Sequence, residues 1–139
     1  MKETYIDPTQ EAGAALFSRN IEGPVVMLNL LRFKEVADYS DHPELAPENT
    51  ISGVEAYEKY IAHTLPFLAE AGSEVLFAGE GSPFLIGPPD ETWDRVLLVR
   101  HASLTEFLKF ARNEGYLKGA GHRTAALADS RLLPIIQSS

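Results

Sequence analysis

The amino-acid sequence predicts an α+β fold with the element order β-α-β-β-α-β, preceded by one extra helix. The stretch 25–33 is apolar at both parities and follows a Gly-Pro pair, which is typical of a strand buried on both faces. Residues 52–55 and 103–106 are two capping boxes, and each opens a stretch with helical apolar spacing. Short strand-like runs follow both helices. Together these features predict a ferredoxin-like, split-βαβ sandwich.

The extra helix is predicted over residues 7–20. Asp7 is a good N-cap, and Pro8 suits the first helical position because its missing N–H costs nothing there. The Gly-Pro pair at 23–24 separates this helix from the first strand.

Residues 34–52, here named the acidic loop, contain five Asp and Glu residues together with two prolines. Apolar anchors are few, so we expect this insert to move relative to the sheet. It is either a lid over a ligand site or a plain insert.

The helix that Ser52 opens is predicted to run to about residue 71, where Gly72 ends it. Pro66 should kink or shorten it. The predicted inward stripe has three- and four-residue spacing and comprises Val54, Tyr57, Ile61, Leu65 and Leu68.

The remaining elements follow from shorter patterns. We expect strands at 74–79 and 93–101, with 84–86 continuing the first of them, a helix at 103–112, a weaker helical stretch at 116–128 and a last strand at 132–136. Pro134 places that last strand at an edge or a bulge.

The first strand presents apolar side chains on both faces, with Met27 and Leu31 on one side and Leu28 and Leu30 on the other. One layer of helices covers only one of these faces, and leaving the other exposed is unfavourable. We therefore expect residues 1–139 to form one domain that pairs with a second copy as a dimeric α/β barrel.

Composition narrows the function classes. The formal net charge is -8, which disfavours nucleic acid because duplex-binding domains gather Lys and Arg. The absence of Cys excludes disulfides and thiolate metal sites. The four His residues lack metal-ligand spacing, so we expect no metal and no cofactor. No signal peptide or membrane span is visible, which predicts a cytoplasmic protein with no membrane partner.

Asn29 is a polar residue inside an otherwise apolar strand. A buried amide needs hydrogen-bond partners, so it is either satisfied by protein groups or orients a ligand inside the barrel. Trp93 and Arg95 share one face of the third strand, where Arg95 either meets the same ligand or turns outward to a carboxylate.

Tyr60 lies beside the predicted stripe of its helix, where it either fills the core or offers its hydroxyl to a ligand. His122 and Arg123 are placed to close a pocket mouth, or else form a surface pair, with Asp129 as the alternative partner of Arg123. The predicted ligand-binding residues are Asn29, Tyr60, Trp93, Arg95, His122 and Arg123, and no catalytic residue is predicted.

Several runs in a fixed order carry a family resemblance. PVVMLNLLRF is followed by GVEAYEKY, by WDRVLLVRHAS, by EGY with Arg123 seven residues after Tyr116, and by ADSRLLPI. In this order the chain resembles the domain-of-unknown-function 1330 family of the dimeric α/β-barrel superfamily. The resemblance implies a ferredoxin-like fold and a homodimer. The N-terminal helix and the acidic loop are longer than the family pattern.

Three functions remain open. We expect a homodimer that binds a small organic molecule in an apolar cavity. The first alternative is a cofactor-independent monooxygenase- or isomerase-like enzyme acting on a small aromatic or polyketide-like substrate, with Asn29 or Tyr60 stabilising an oxyanion and His122 or His101 as base. The second alternative is a structural homodimer without a ligand.

Overall fold

The computed structural model describes residues 3–137, and its centre is one antiparallel sheet. The strands are β1 (Val25–Phe33), β2 (Glu74–Glu80), β3 (Arg95–His101) and β4 (Leu127–Ile135). Their order across the sheet is β2-β3-β1-β4, and the helix between β1 and β2 and the helices between β3 and β4 complete the pattern. This is the ferredoxin-like topology that the sequence predicts.

The helices of the described residues are α1 (Gln10–Ser18), α2 (Gly53–Glu70), α3 (Leu104–Ala111), α4 (Glu114–Leu117) and α5 (Ala120–Ala126). The N-terminal helix is shorter than the predicted 7–20, because Thr9 and not Asp7 caps it by accepting from the amide of Ala12. The single helical stretch expected at 116–128 is divided into α4, α5 and the first residues of β4. Within residues 3–137 no helix combines the length and apolarity needed to cross a membrane.

The buried side of α2 differs from the predicted stripe. Val54 and Leu65 are exposed, and the inward residues are Gly53, Ala56, Tyr57, Tyr60, Thr64 and Leu68. Gly53 explains this rotation, because its amide donates to the carbonyl of Lys34 and a Cβ there would collide with that carbonyl. The start of α2 is thereby fixed against the end of β1, and Tyr57 and Tyr60 turn inward. Pro66 lies within the helix and does not end it.

The two faces of the sheet have different environments. On the helix side, Val25, Met27 and Leu31 of β1 are at most 1% exposed. α2 and α5 pack over the Leu31 end, whereas α1 and α3 pack over the Val25 end. We name the opposite side the open face. Its apolar residues are Val26, Leu28, Leu30, Phe77, Val96, Leu98, Leu133 and Ile135, all of them half-buried or exposed.

Two strand boundaries also differ from the expected ones. Residues 84–86 do not continue β2, since a loop spans 81–94 and β3 begins at Arg95. The Gly81 amide donates to the Asp94 carbonyl, which closes the base of this loop. β4 begins at Leu127, five residues before the expected start at 132, because its first residues pair with the end of β1. Pro134 lies in an edge strand, as predicted.

The acidic loop is attached to α5 and to its own ends. The amide of Ala37 donates to the Ile51 carbonyl, and the amide of Asp38 donates to the Ala125 carbonyl. A short 3-10 turn, Pro43–Leu45, lies in its centre. These anchors are backbone hydrogen bonds, which cannot be predicted from the residue types alone.

Candidate functional site

A cleft of 440 Å³ opens where the end of β1 meets the start of α2. It is lined by Phe33, Lys34, Glu35, Ser52, Val54, Glu80, Gly81, Asp94 and Arg95. We name it the helix-end cleft. The half-buried Arg95 stacks on Phe33, with its guanidinium carbon 5.2 Å from the ring centre. Within residues 3–137 this guanidinium forms no ion pair, so its charge is available to a ligand.

Tyr57 lies directly behind Phe33, with the two ring centres 5.3 Å apart. Its side chain is buried, and its hydroxyl has no hydrogen-bond partner among the described residues. Burial raises the pKa of Tyr57 to about 12, while the nearby positive charges of Arg123 and Arg95 act in the opposite direction. The Tyr57 hydroxyl is therefore a neutral donor near two cations, an arrangement that suits an anionic or carbonyl oxygen.

Tyr60 and Tyr116 extend the aromatic surface away from the cleft. Their hydroxyl oxygens are 2.8 Å apart, and the Tyr60 ring lies 5.3 Å from that of Tyr57. Burial, the neighbouring phenols and the hydrogen bond to Tyr116 hold the pKa of Tyr60 well above its usual value. Tyr57, Tyr60 and Tyr116 are here named the tyrosine cluster. Because their pKa values are raised, the hydroxyls of Tyr57 and Tyr60 stay protonated near neutral pH and can only donate or accept hydrogen bonds.

Arg123 joins the N-terminal segment to β4. It donates to the carbonyl of Ile6 at 2.7 Å and to the Ser130 hydroxyl at 3.5 Å, with a long contact of 3.9 Å to Asp7. Asp129, the partner considered from sequence, pairs instead with Arg131 and Arg32. Arg123 thus contributes positive charge beside the tyrosine cluster while it holds the chain terminus.

Asn29 lies on the helix side of β1, opposite Leu97 and Leu132. Its side-chain amide donates to the carbonyl of Met27 at 3.2 Å. It stands four residues from Phe33 along the strand, a separation of about 13 Å. The structure therefore gives Asn29 a protein partner and does not bring it to the helix-end cleft.

Trp93 belongs to a different cluster near the open face. Its indole N–H donates to Glu91, and the Arg131 guanidinium lies between the rings of Trp93 and Tyr5, at 5.0 and 4.9 Å from their centres. A second cleft of 480 Å³ lies here, lined by Glu3, Tyr5, Arg32, Pro88, Asp90, Glu91, Asp129 and Arg131. Both arginines are already paired with Asp129, which is nearly fully buried. These contacts hold the N-terminal segment and the loop 81–94 on the sheet.

The two histidines considered as bases are both engaged. Nδ1 of His122 lies 2.6 Å from the Tyr39 hydroxyl, and burial followed by the charges of Lys59 and His63 lowers its pKa. His101 is buried against Phe107, and its Nδ1 lies 2.7 Å from the Ser73 hydroxyl. Neither histidine lines the helix-end cleft. Across residues 3–137 no group of three potential ligands is placed to hold a metal ion.

The structure thus brings Tyr60, Arg95 and Arg123 into one region and places Asn29, Trp93 and His122 elsewhere. The residues not selected from the sequence as ligand-binding are Phe33 and Tyr57. The strand pattern placed Phe33 on one face of β1, and the helical spacing placed Tyr57 in the inward stripe of α2. Thr64 is a further case, since its hydroxyl is buried without a partner in the described structure. A sequence pattern does not predict an unpaired hydroxyl, because hydrogen bonding depends on the neighbours that the fold brings close to it.

Comparison with solved structures identifies a close relative over nearly the whole chain. A crystal structure of RPA0582, a protein of unknown function from Rhodopseudomonas palustris, is 34% identical, covers 99% of both chains and has a TM-score of 0.87. The chain belongs to the RPA0582 family. A structure of methylated RPA0582 gives the same identity and TM-score, with 98% of this chain and 96% of that chain covered.

A dimeric protein of unknown function with a ferredoxin-like fold, from Bacteroides fragilis, has 10% identity and a TM-score of 0.48, covering 81% of this chain and 94% of its own. No family model and no curated protein matches the chain, so the resemblance to the 1330 family is not confirmed.

Proposed function

We propose that this member of the RPA0582 family is a homodimer that binds a small organic acid in the helix-end cleft. The observation that carries the proposal is the half-buried Arg95 guanidinium, which lies on the Phe33 ring and has no ion pair within residues 3–137. A ligand carboxylate would pair with Arg95, and its apolar body would lie along Phe33 toward the tyrosine cluster.

The charges around the cleft favour binding of an anion beside Arg95 over binding at the rim of the cleft. Glu35 and Glu80 are exposed, so water and salt screen them, whereas Arg95 is half-buried and screened less. The Asp94 carboxylate accepts a hydrogen bond from the Phe33 amide and has a structural partner already. Tyr57 packs behind the Phe33 ring and supports this wall of the cleft.

The homodimer is supported by the open face. Eight apolar side chains lie there on four strands, and Phe77 and Leu133 are more than half exposed. An apolar surface of this extent on a sheet favours a partner of the same kind, because a two-fold axis makes one patch self-complementary. Pairing as a dimeric α/β barrel, membership of the 1330 family and a cytoplasmic location remain our proposals.

Binding is favoured over catalysis by the positions of the two histidines that were expected to act as bases, since neither lines the cleft. A general base must reach its proton within about 3 Å, directly or through one water. His122 and His101 have protein partners away from the cleft, and burial keeps the hydroxyls of Tyr57 and Tyr60 protonated. The ligand roles first expected for Asn29, Trp93 and His122 stay predictions.

Thermal melting with matched ligands tests the proposal. Benzoate, phenylacetate and hexanoate are compared with benzyl alcohol, which keeps an apolar body but has no charge. We expect the best carboxylate to raise the melting temperature of the wild type by several degrees and benzyl alcohol to have no effect. The shift should vanish in Arg95→Gln and persist in Arg19→Gln, which removes an exposed guanidinium at the end of α1. Equal shifts in both variants, or no shift with any carboxylate, would contradict the cleft as a binding site.

A further inference from the structure

The loop between β2 and β3 is longer than its strands require. Neighbouring antiparallel strands can be joined by two residues, yet this connection runs from 81 to 94. At its tip Leu85 is 98% exposed and Ile86 is 91% exposed. Two adjacent aliphatic side chains held fully in water are unfavourable unless a partner covers them.

The tip has a defined shape. Gly87 lies on the Phe84 ring, where an added Cβ would come within 2.6 Å of a ring carbon. Pro83, Pro88 and Pro89 flank this turn and restrict the backbone before and after it. A backbone restricted in this way loses little entropy on binding, which favours an apolar tip that acts as an anchor.

The returning limb of the loop lies on the open-face side of the sheet. Pro88 and Glu91 line the same cleft as Arg131, and the Arg131 guanidinium lies 5.0 Å from the centre of the Trp93 ring. Arg131 stands opposite Leu30 on the neighbouring strand and therefore shares its face. The loop is thus anchored at the end of the open face, and its apolar tip closely precedes the anchored residue Pro88 in the chain.

We propose that the loop 81–94 is an arm whose tip, Leu85 and Ile86, packs against a second copy of this chain. The inference rests on the proposed homodimer. Four strands at about 4.8 Å spacing and seven residues at about 3.3 Å rise give the open face a flat area of about 450 Å². A standard interface buries about 800 Å² of accessible surface per partner, about twice the flat outline of this sheet, so contacts beyond the sheet favour a stable dimer. The arm adds apolar area at the rim of the same face, and two-fold symmetry uses it twice.

Sedimentation equilibrium of the full chain and of the double variant Leu85→Lys, Ile86→Lys tests the arm. Both side chains are in water in the single chain, so folding should be unaffected, and far-UV circular dichroism and the melting temperature of the monomer check this. We expect the dimer dissociation constant to rise by at least tenfold. Val36→Lys is the matched control, because Val36 is 54% exposed on the acidic loop, and we expect it to leave the constant within twofold.

A photocrosslinker on Leu85→Cys, the single thiol in this chain, gives an independent readout. We expect covalent dimers whose crosslinked peptides come from the partner. An unchanged dissociation constant in the double variant, with a dimeric wild type, would overturn the arm and leave the open-face dimer standing. A wild type that stays monomeric would overturn the dimer and the arm together. Crosslinks confined to one chain would overturn the proposal. Co-sedimentation of the wild type, but not of the double variant, with phosphatidylcholine vesicles would assign the tip to a membrane surface and would also overturn it.

Discussion

The Tyr39 hydroxyl lies 2.6 Å from Nδ1 of His122 and joins the acidic loop to α5. The two rings meet edge to face with their centres 5.5 Å apart. Beside this pair, Gly121 leaves room for His42, since a Cβ at Gly121 would come within 2.6 Å of the His42 ring. The acidic loop is therefore held by side-chain contacts as well as by backbone bonds.

Tyr39→Phe should loosen the acidic loop without unfolding the domain. The change removes one hydrogen bond and keeps the ring, so we expect a loss of about 1 kcal/mol in local stability. Glu35, Glu44 and Glu48 are cleavage sites for a glutamate-specific protease. Their cleavage should accelerate severalfold in Tyr39→Phe. Tyr5→Phe is the control, since the Tyr5 hydroxyl donates to the exposed carboxylate of Glu3 and lies outside the acidic loop. Equal cleavage rates in both variants would show that the Tyr39 contact does not restrain the loop, as expected for the mobile insert that its composition predicts.

His101 predicts a pH dependence of stability. Burial lowers its pKa to about 4 from 6.5, so the folded protein resists protonation that the unfolded chain accepts. The neutral ring is therefore stabilising at neutral pH, and this contribution is lost as pH falls from 6.5 toward 4. We expect the free energy of unfolding, measured with denaturant, to fall over this pH range in the wild type. The fall should exceed that in His101→Gln by up to about 3 kcal/mol. Parallel pH profiles for the two proteins would show that His101 does not carry this dependence.

Asn29→Leu separates a structural amide from a ligand-binding one. The amide donates to the Met27 carbonyl of its own strand, and it lies about 13 Å from Phe33. We expect the free energy of unfolding, followed by thermal melting, to change by no more than about 1 kcal/mol. The affinity for the carboxylate should stay within twofold of that of the wild type. A variant that melts like wild type but no longer binds the carboxylate would place Asn29 in the site.

The sheet was predictable because its signals are local and repeated. The alternating apolar sets of β1 predicted which residues share a face, and the register confirms this separation of Met27 from Leu28. The capping boxes at Ser52 and Ser103 predicted two helix starts. The hydroxyl of each serine accepts a hydrogen bond from the backbone amide three residues later, as expected. Each of these features depends on residues only a few positions apart.

The orientation of α2 and the candidate site were harder to predict, because they depend on distant contacts. Gly53 turns Tyr57 inward through a carbonyl nineteen positions earlier in the chain, and periodicity alone does not encode that contact. Arg95 was selected from the sequence, but its freedom from ion pairs with the described part of the chain depends on where Glu80 and Asp94 point. The pairing of Tyr60 with Tyr116 likewise joins two separate helices.

If the open face is a homodimer interface, as we propose, sedimentation equilibrium at micromolar concentration will show a dimer that depends on this face. Leu28 is half-buried in the centre of that face, between Leu98 and Leu133. A glutamate there would be costly to bury but is tolerable in a monomer. We predict a mass near twice 15.3 kDa for wild type and for Val36→Glu, and a mass near 15.3 kDa for a folded Leu28→Glu. A monomeric wild type, or a Leu28→Glu protein that remains dimeric with unchanged affinity, would show that the open face is not the dimer interface.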